Sequence, residues 1–278
     1  MELPDNVSKR TGDQIVYEFN ILVDGKDVNS FDGEKPLRIS LDYKPAAGEN
    51  PNNIVVYNVE DNGAVKIVRT GKYDSSTGKV SFTVKQLGQY TVVYEKVSFS
   101  DLDTVLWAKE SIEALAARQV IDGRGDGKFA PHANVTRAEF IKILMNAFDL
   151  VDDTAKCDLK DVKEGTWYFK SVASAQKLGI IQGYEDGSFG VDRLITREEM
   201  SAISYRAALA VKINLDSIEK KVQFLDQQKI AQYAKEAVEV LQKAGVIDGI
   251  DDMHFAPGET ASRAQAAKVI FYMFKKIK

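Results

Sequence analysis

The chain reads as two domains of opposite class: an all-β sandwich over residues 1–98 and an all-α domain made of three copies of one unit over residues 99–278. Two observations predict this multidomain split. Short alternating apolar segments separated by Gly, Pro, Asn and Ser fill the first third of the chain. A pattern that recurs after 60 and then 66 residues fills the rest.

In the first domain, β-branched and aromatic residues alternate over residues 14–23, 37–43, 54–59, 65–69, 80–84 and 90–95. Asp61-Asn62-Gly63 and Ser75-Ser76-Thr77-Gly78 are turn signals between them. Short strands at this spacing predict a sandwich. The domain reads as a structural spacer or assembly module, with a separate carbohydrate-binding role as the alternative.

In the second domain, Asp101, Asp161 and Asp226 open the three units, and Gly123, Gly183 and Gly249 mark their middles. An aromatic, Trp107, Trp167 or Tyr233, stands 16 residues before each glycine, and Phe129, Phe189 or Phe255 follows it. Each unit predicts helix, loop, helix. Ile112, Leu115 and Ala116, then Val172, Ala175 and Leu178, then Val238, Leu241 and Ala244 recur at helical spacing on the first helix. Phe140, Ile143, Leu144 and Phe148, then Met200, Ile203 and Ala207, then Ala267, Ile270 and Phe274 do so on the second. One helix pair cannot bury such faces alone, whereas three pairs around a common axis can. The polar stretches 149–160 and 212–223 read as connectors.

Each second helix opens on a tetrapeptide: Thr136-Arg137-Ala138-Glu139, Thr196-Arg197-Glu198-Glu199 and Ser262-Arg263-Ala264-Gln265. Thr or Ser with Glu or Gln three residues on is a capping box, which accounts for Glu139, Glu199 and Gln265 without catalysis. It leaves Arg137, Arg197 and Arg263 unexplained, because the positive end of the helix dipole disfavours a cation at the first helical position. A cation held against that field invites an anionic ligand, so losing one arginine is expected to weaken binding and leave the fold intact. The glycines call for a left-handed turn or a close backbone approach, with exposed amide donors. The aspartates either cap the turn before the first helix or contact a ligand. The three aromatics are either core or a ligand-facing surface.

The order Phe-x-Asp, Trp, Gly, Asp-Gly-x-Phe, Thr-Arg-Ala-Glu resembles the S-layer homology repeat of bacterial surface proteins, in copies at about 99–158, 159–218 and 219–278. The resemblance implies three repeats closed into a pseudo-threefold bundle that anchors an exported protein to the cell wall without catalysis. The implied ligand is a secondary cell-wall polysaccharide, commonly carrying an anionic pyruvyl ketal. The glycan-binding set carried over is Asp101, Trp107, Gly123 and Arg137; Asp161, Trp167, Gly183 and Arg197; and Asp226, Tyr233, Gly249 and Arg263. Repeat three departs from the pattern with Tyr233, Ser262 and Gln265, so a groove pairing Arg263 with Tyr233 is expected to bind most weakly. Residues 53–94 resemble the β-sandwich modules that stand before such repeats. The rival reading is an assembly module that contacts other surface-layer subunits without glycan.

Composition narrows the remaining classes. With 37 basic and 41 acidic residues the formal charge is -4, so no basic field favours nucleic acid or an anionic membrane. The lone Cys157 rules out an internal disulfide and a cysteine metal cluster. Asp122 and Asp126 suit positions one and five of a calcium loop, but position twelve is Ala133, and neither metal nor cofactor is expected. The two histidines, His132 and His254, belong to no catalytic motif. There is no membrane-length apolar run, and Met1-Glu2-Leu3-Pro4 lacks the start of a secretion signal. The expectation is a mature fragment, or an expressed piece, of an extracellular protein.

Overall fold

A computed structural model describes residues 15–24, 26–28, 36–218 and 223–277. The chain forms two compact units, Met1–Ser98 with Glu113–Ile121, and Phe99–Ile112 with Asp122–Lys278.

Among the described residues the first unit carries nine strands: β1 (Val16–Phe19), β2 (Ile21–Val23), β3 (Lys26–Val28), β4 (Leu37–Asp42), β5 (Ile54–Val59), β6 (Val65–Val68), β7 (Lys72–Asp74), β8 (Lys79–Val84) and β9 (Gly88–Tyr94). One antiparallel sheet runs β1-β9-β5-β6 and another β4-β8-β7, with β2 and β3 as a separate hairpin. Ile39 and Leu41 of β4 and Val80, Phe82 and Val84 of β8 share a core with Ile54 and Val56 of β5 and Tyr90 and Val92 of β9. Strand β5, apolar except for Asn58, does not alternate because both its faces are covered. Its other face sets Val55 and Tyr57 against Val93 and Ala117. Arg118, fully enclosed, donates to the carbonyls of Asn52, Ile54, Gly71 and Ala114.

The segment expected over 14–23 holds two strands, and Gln14 lies outside the described residues. Strands β3 and β7 were not anticipated; three residues are too few for an alternation to register. Both turn signals form hairpins, with Gly63 and Gly78 at positive φ.

The second unit carries six helices among the described residues, α1 (Leu106–Ala117), α2 (Arg137–Ala147), α3 (Phe169–Lys177), α4 (Arg197–Ala210), α5 (Lys235–Lys243) and α6 (Arg263–Lys275), although the end of α1 counts with the first unit. Helices α2, α4 and α6 begin on complete capping boxes at Thr136, Thr196 and Ser262. Helix α6 packs against α2 and α4, while α3 lies on α2 and α5 on α4. Nearly every residue assigned to a helical core face is covered, but Leu178 is 44% exposed because α3 ends at Lys177, one residue before it.

The residues just before the second helices join the repeats in a closed circuit. The amide of Val135 donates to Ala261, that of Ala261 to Ile195 and that of Ile195 to Val135, at 2.8–3.1 Å. All three side chains are fully buried. A pairing that returns to its start leaves no unpaired edge.

Candidate functional site

The arginines are buried, at 5% exposed for Arg137 and Arg197 and 7% for Arg263, and each reaches into another repeat. Nε of Arg137 donates to the carbonyl of Phe189, Nε of Arg197 to Phe255, and Nε of Arg263 to Phe129. Nη2 of Arg197 donates to Asp248, and Nη2 of Arg263 to Asp122. Each guanidinium lies over the ring of the phenylalanine whose carbonyl it holds, at 4.3–4.8 Å. Burial pulls the Arg197 and Arg263 pKa values down, the latter helped by Arg124, while nearby acidic groups oppose the shift.

This geometry revises the expectation that the fold is indifferent to the arginines. The helix dipole is answered locally, since the first two amides of each helix donate to a neighbouring repeat's carbonyls. The arginine side chains donate to carbonyls as well. Removing one strands buried acceptors, so stability must fall.

The aspartates hold the loops that border the grooves. Asp101 accepts the amides of Phe129 and Ala130, Asp226 those of Phe255 and Ala256, and Asp161 those of Phe189, Gly190 and Val191. Burial acts to raise their pKa values, but the donated amides outweigh it and hold all three below the usual carboxylate range. Both oxygens of each carboxylate are occupied by backbone.

The glycines are sites of close approach. A Cβ on Gly183 would meet Leu159 Cδ2 at 2.5 Å and the Ser188 carbonyl at 2.9 Å; on Gly249 it would meet the Asp251 carbonyl at 2.2 Å, and on Gly123 the Lys128 carbonyl at 2.8 Å. The left-handed residue after the first helix falls four positions earlier, at Gln119, Gly179 or Gly245.

The aromatics are half exposed, Trp107 at 50%, Trp167 at 55% and Tyr233 at 53%, so the core alternative does not hold. Trp107 and Tyr233 line grooves assembled from different repeats. A cavity of about 310 Å³ brings Trp107 together with Arg197, Gly249, Gln265 and Lys268. A second, of about 220 Å³, brings Tyr233 together with Arg137, Gly183, Tyr184 and Glu199. Tyr233 therefore accompanies Arg137, not Arg263, which overturns the expected pairing. Around Arg263 lie Gly123's neighbour Arg124 and Glu139, joined at 2.6 Å. One turn along that helix, Lys142 sits 5.2 Å from the Trp167 ring.

The sequence reading missed Lys142, Lys268, Arg124 and Tyr184. Lys268 stands over Trp107 at 5.5 Å, and Tyr184 lies against Arg137 at 5.0 Å. Their signal was positional: the lysines follow Glu139 and Gln265 by three residues, on the same helical face, and Arg124, Tyr184 and Ile250 each follow a loop glycine.

The S-layer homology domain model matches residues 98–141, 158–201 and 223–267. An amylopullulanase of Thermoanaerobacterium thermosulfurigenes is 32% identical over 242 residues, 87% of this chain and 13% of its own length. That alignment is longer than the three matched segments together and takes in part of the strand-rich unit. The exoglucanase XynX of Acetivibrio thermocellus is 34% identical over 73% of this chain and 18% of its own. An S-layer protein of Bacillus thuringiensis subsp. finitimus is 29% identical over 62% of this chain and 21% of its own. The chain thus spans about a fifth or less of these relatives. No helix among the described residues is long and apolar enough to cross a membrane. Three family matches in series, each opening three residues before a loop-tying aspartate and closing just inside an arginine-led helix, place the chain among the proteins that carry S-layer homology domains.

Proposed function

We propose that residues 99–278 anchor an exported protein non-covalently to the bacterial cell wall, without catalysis, by taking a secondary cell-wall polysaccharide with an anionic pyruvyl ketal into grooves between repeats. One observation carries this reading: a half-exposed aromatic at the rim of a cavity with a buried arginine in its lining, as with Trp107 and Arg197. A ring face suits a sugar, and a desolvated guanidinium suits its carboxylate.

The closed circuit through Val135, Ile195 and Ala261 supports a pseudo-threefold bundle, and the shared core of the two main sheets supports a sandwich serving as spacer. Within this reading the arginines and aromatics contact ligand, and the glycines let backbone approach it. The aspartates act through the loops they hold. Surface-layer subunits are the second partner class.

Calorimetry with purified wall polysaccharide, before and after removal of the ketal, tests the proposal. Saturable heat that disappears with the ketal is expected. Flat heats with the native polysaccharide would reject it in favour of assembly through protein contacts.

A further inference from the structure

Among the positions at which the grooves differ is the third residue of each second helix. Beside Arg137 that residue is Glu199, whose Oε1 lies 2.9 Å from Nη1 of Arg137 while its Oε2 accepts the Thr196 amide. The Tyr184 hydroxyl donates to the same Oε1 at 3.0 Å. This groove contains its own carboxylate, clamped on its own arginine. Beside Arg263 the residue is Glu139, whose Oε1 is taken by Arg124.

Beside Arg197 the residue is Gln265. Its Oε1 accepts the Ser262 amide at 3.0 Å, which fixes the side chain so that Nε2, a donor, takes the place of the carboxylate oxygen. The residue after the loop glycine is Ile250, which brings neither the hydroxyl of Tyr184 nor the charge of Arg124. Asp248 also lines this groove, but its carboxylate is paired with Lys268 at 2.5 Å, and Glu259 and Asp226 act on Arg197 only through space. The cavity therefore gathers a buried guanidinium and an amide donor at the point where the Arg137 groove supplies an acceptor.

We infer that the Arg197 groove is the carboxylate-selective site of this protein, that Gln265 sets that selectivity, and that Glu199 with Tyr184 excludes the same group from the Arg137 groove. The inference rests on the anchoring function proposed above and names which groove takes the acidic group. The ligand class is a hexose carrying a six-membered cyclic ketal with one carboxylate. Trp107 packs the sugar, while Arg197 and Gln265 Nε2 receive the acid.

The chain has two tryptophans, so the Trp107 indole N–H resonance reports the Arg197 groove and that of Trp167, which does not line this groove, serves as a reference. The probe is a methyl hexopyranoside bearing a 4,6-pyruvyl ketal, with its methyl ester as the neutral control. Titration is expected to move the Trp107 resonance and leave Trp167 in place. Gln265→Glu should weaken that binding about tenfold or more by restoring a carboxylate opposite the ligand's own. The variant keeps its helix cap, because Glu fills this position in the other two repeats. Glu199→Gln combined with Tyr184→Ile is expected to add a second equivalent of bound ketal.

A silent Trp107 resonance, equal binding of acid and ester, or a change below twofold in Gln265→Glu would each overturn the inference. Calorimetry with native wall polysaccharide separates the two levels. Binding of the polysaccharide with a silent Trp107 removes the groove assignment alone, and no binding of either removes the anchoring function with it.

Discussion

Asp161 carries a negative charge that three backbone amides surround, and its ordinary-looking position in sequence gave two readings, cap or ligand contact. Neither reading named the loop amides 28–30 residues downstream as its partners. Only chain folding brings them together. The arginines show the same limit: the dipole argument was sound for an isolated helix, but the carbonyls that answer Arg137 sit 52 or more residues away. Because Asp101, Asp161 and Asp226 are held below the unfolded value of about 3.9, the stability they contribute is present above that pH and is lost as pH falls through their depressed folded values. Thermal melts between pH 6 and pH 2 are therefore expected to show the melting temperature falling below about pH 4. Asp161→Asn should melt lower at pH 6 and show a flatter acid limb. An unchanged acid limb in that variant would mean the fold draws nothing from this charge.

At the scale of elements, the second helices were legible because each start signal is local. Thr136, Thr196 and Ser262 need only a Glu or Gln three residues on, and all three boxes form. The loop glycines were legible as necessary but assigned to two mechanisms, and geometry separates them. Gly183 has ordinary negative-φ backbone and no room, while Gly179 has room and a φ of 69°. The same change at each should fail differently. Gly183→Ala pushes a methyl onto the Ser188 carbonyl, which is backbone and cannot yield, and is expected to cost about 1–3 kcal/mol. Gly179→Ala meets nothing and is expected to cost about 1–2 kcal/mol through left-handed strain. Urea denaturation gives both values. The discriminating readout is the Tyr184 environment: Gly183→Ala should shift its amide and side-chain resonances, because Tyr184 N closes the same loop on Ser188 O, whereas Gly179→Ala should leave them in place.

For the whole molecule, counting repeats gave the number of units but not their partners. Aligning repeats one beneath another invites the assumption that each holds its own site, so Arg263 was grouped with Tyr233 of its own repeat. The structure instead builds the cavity at Arg197 from Trp107 of the first repeat and Gln265 and Lys268 of the third. A closed circuit also changes how stability is shared. In an open array, losing a terminal repeat removes one repeat and one junction. Here, ending the chain after residue 218 would take from Val135 its acceptor on Ala261 and from Ile195 its donor on Ala261. It would also strip Arg197 of the carbonyls of Phe255 and Asp248, leaving a buried cation without acceptors. The apolar faces of α2 and α4 that meet α6 would be exposed as well. The shortened chain is therefore expected to lose the sharp cooperative unfolding transition of its helical part, seen by circular dichroism at 222 nm. Mixing it with a separately expressed fragment of residues 219–278 should restore the transition. A shortened chain that still melted sharply on its own would show that two repeats form a stable fold and that closure of the circuit is dispensable.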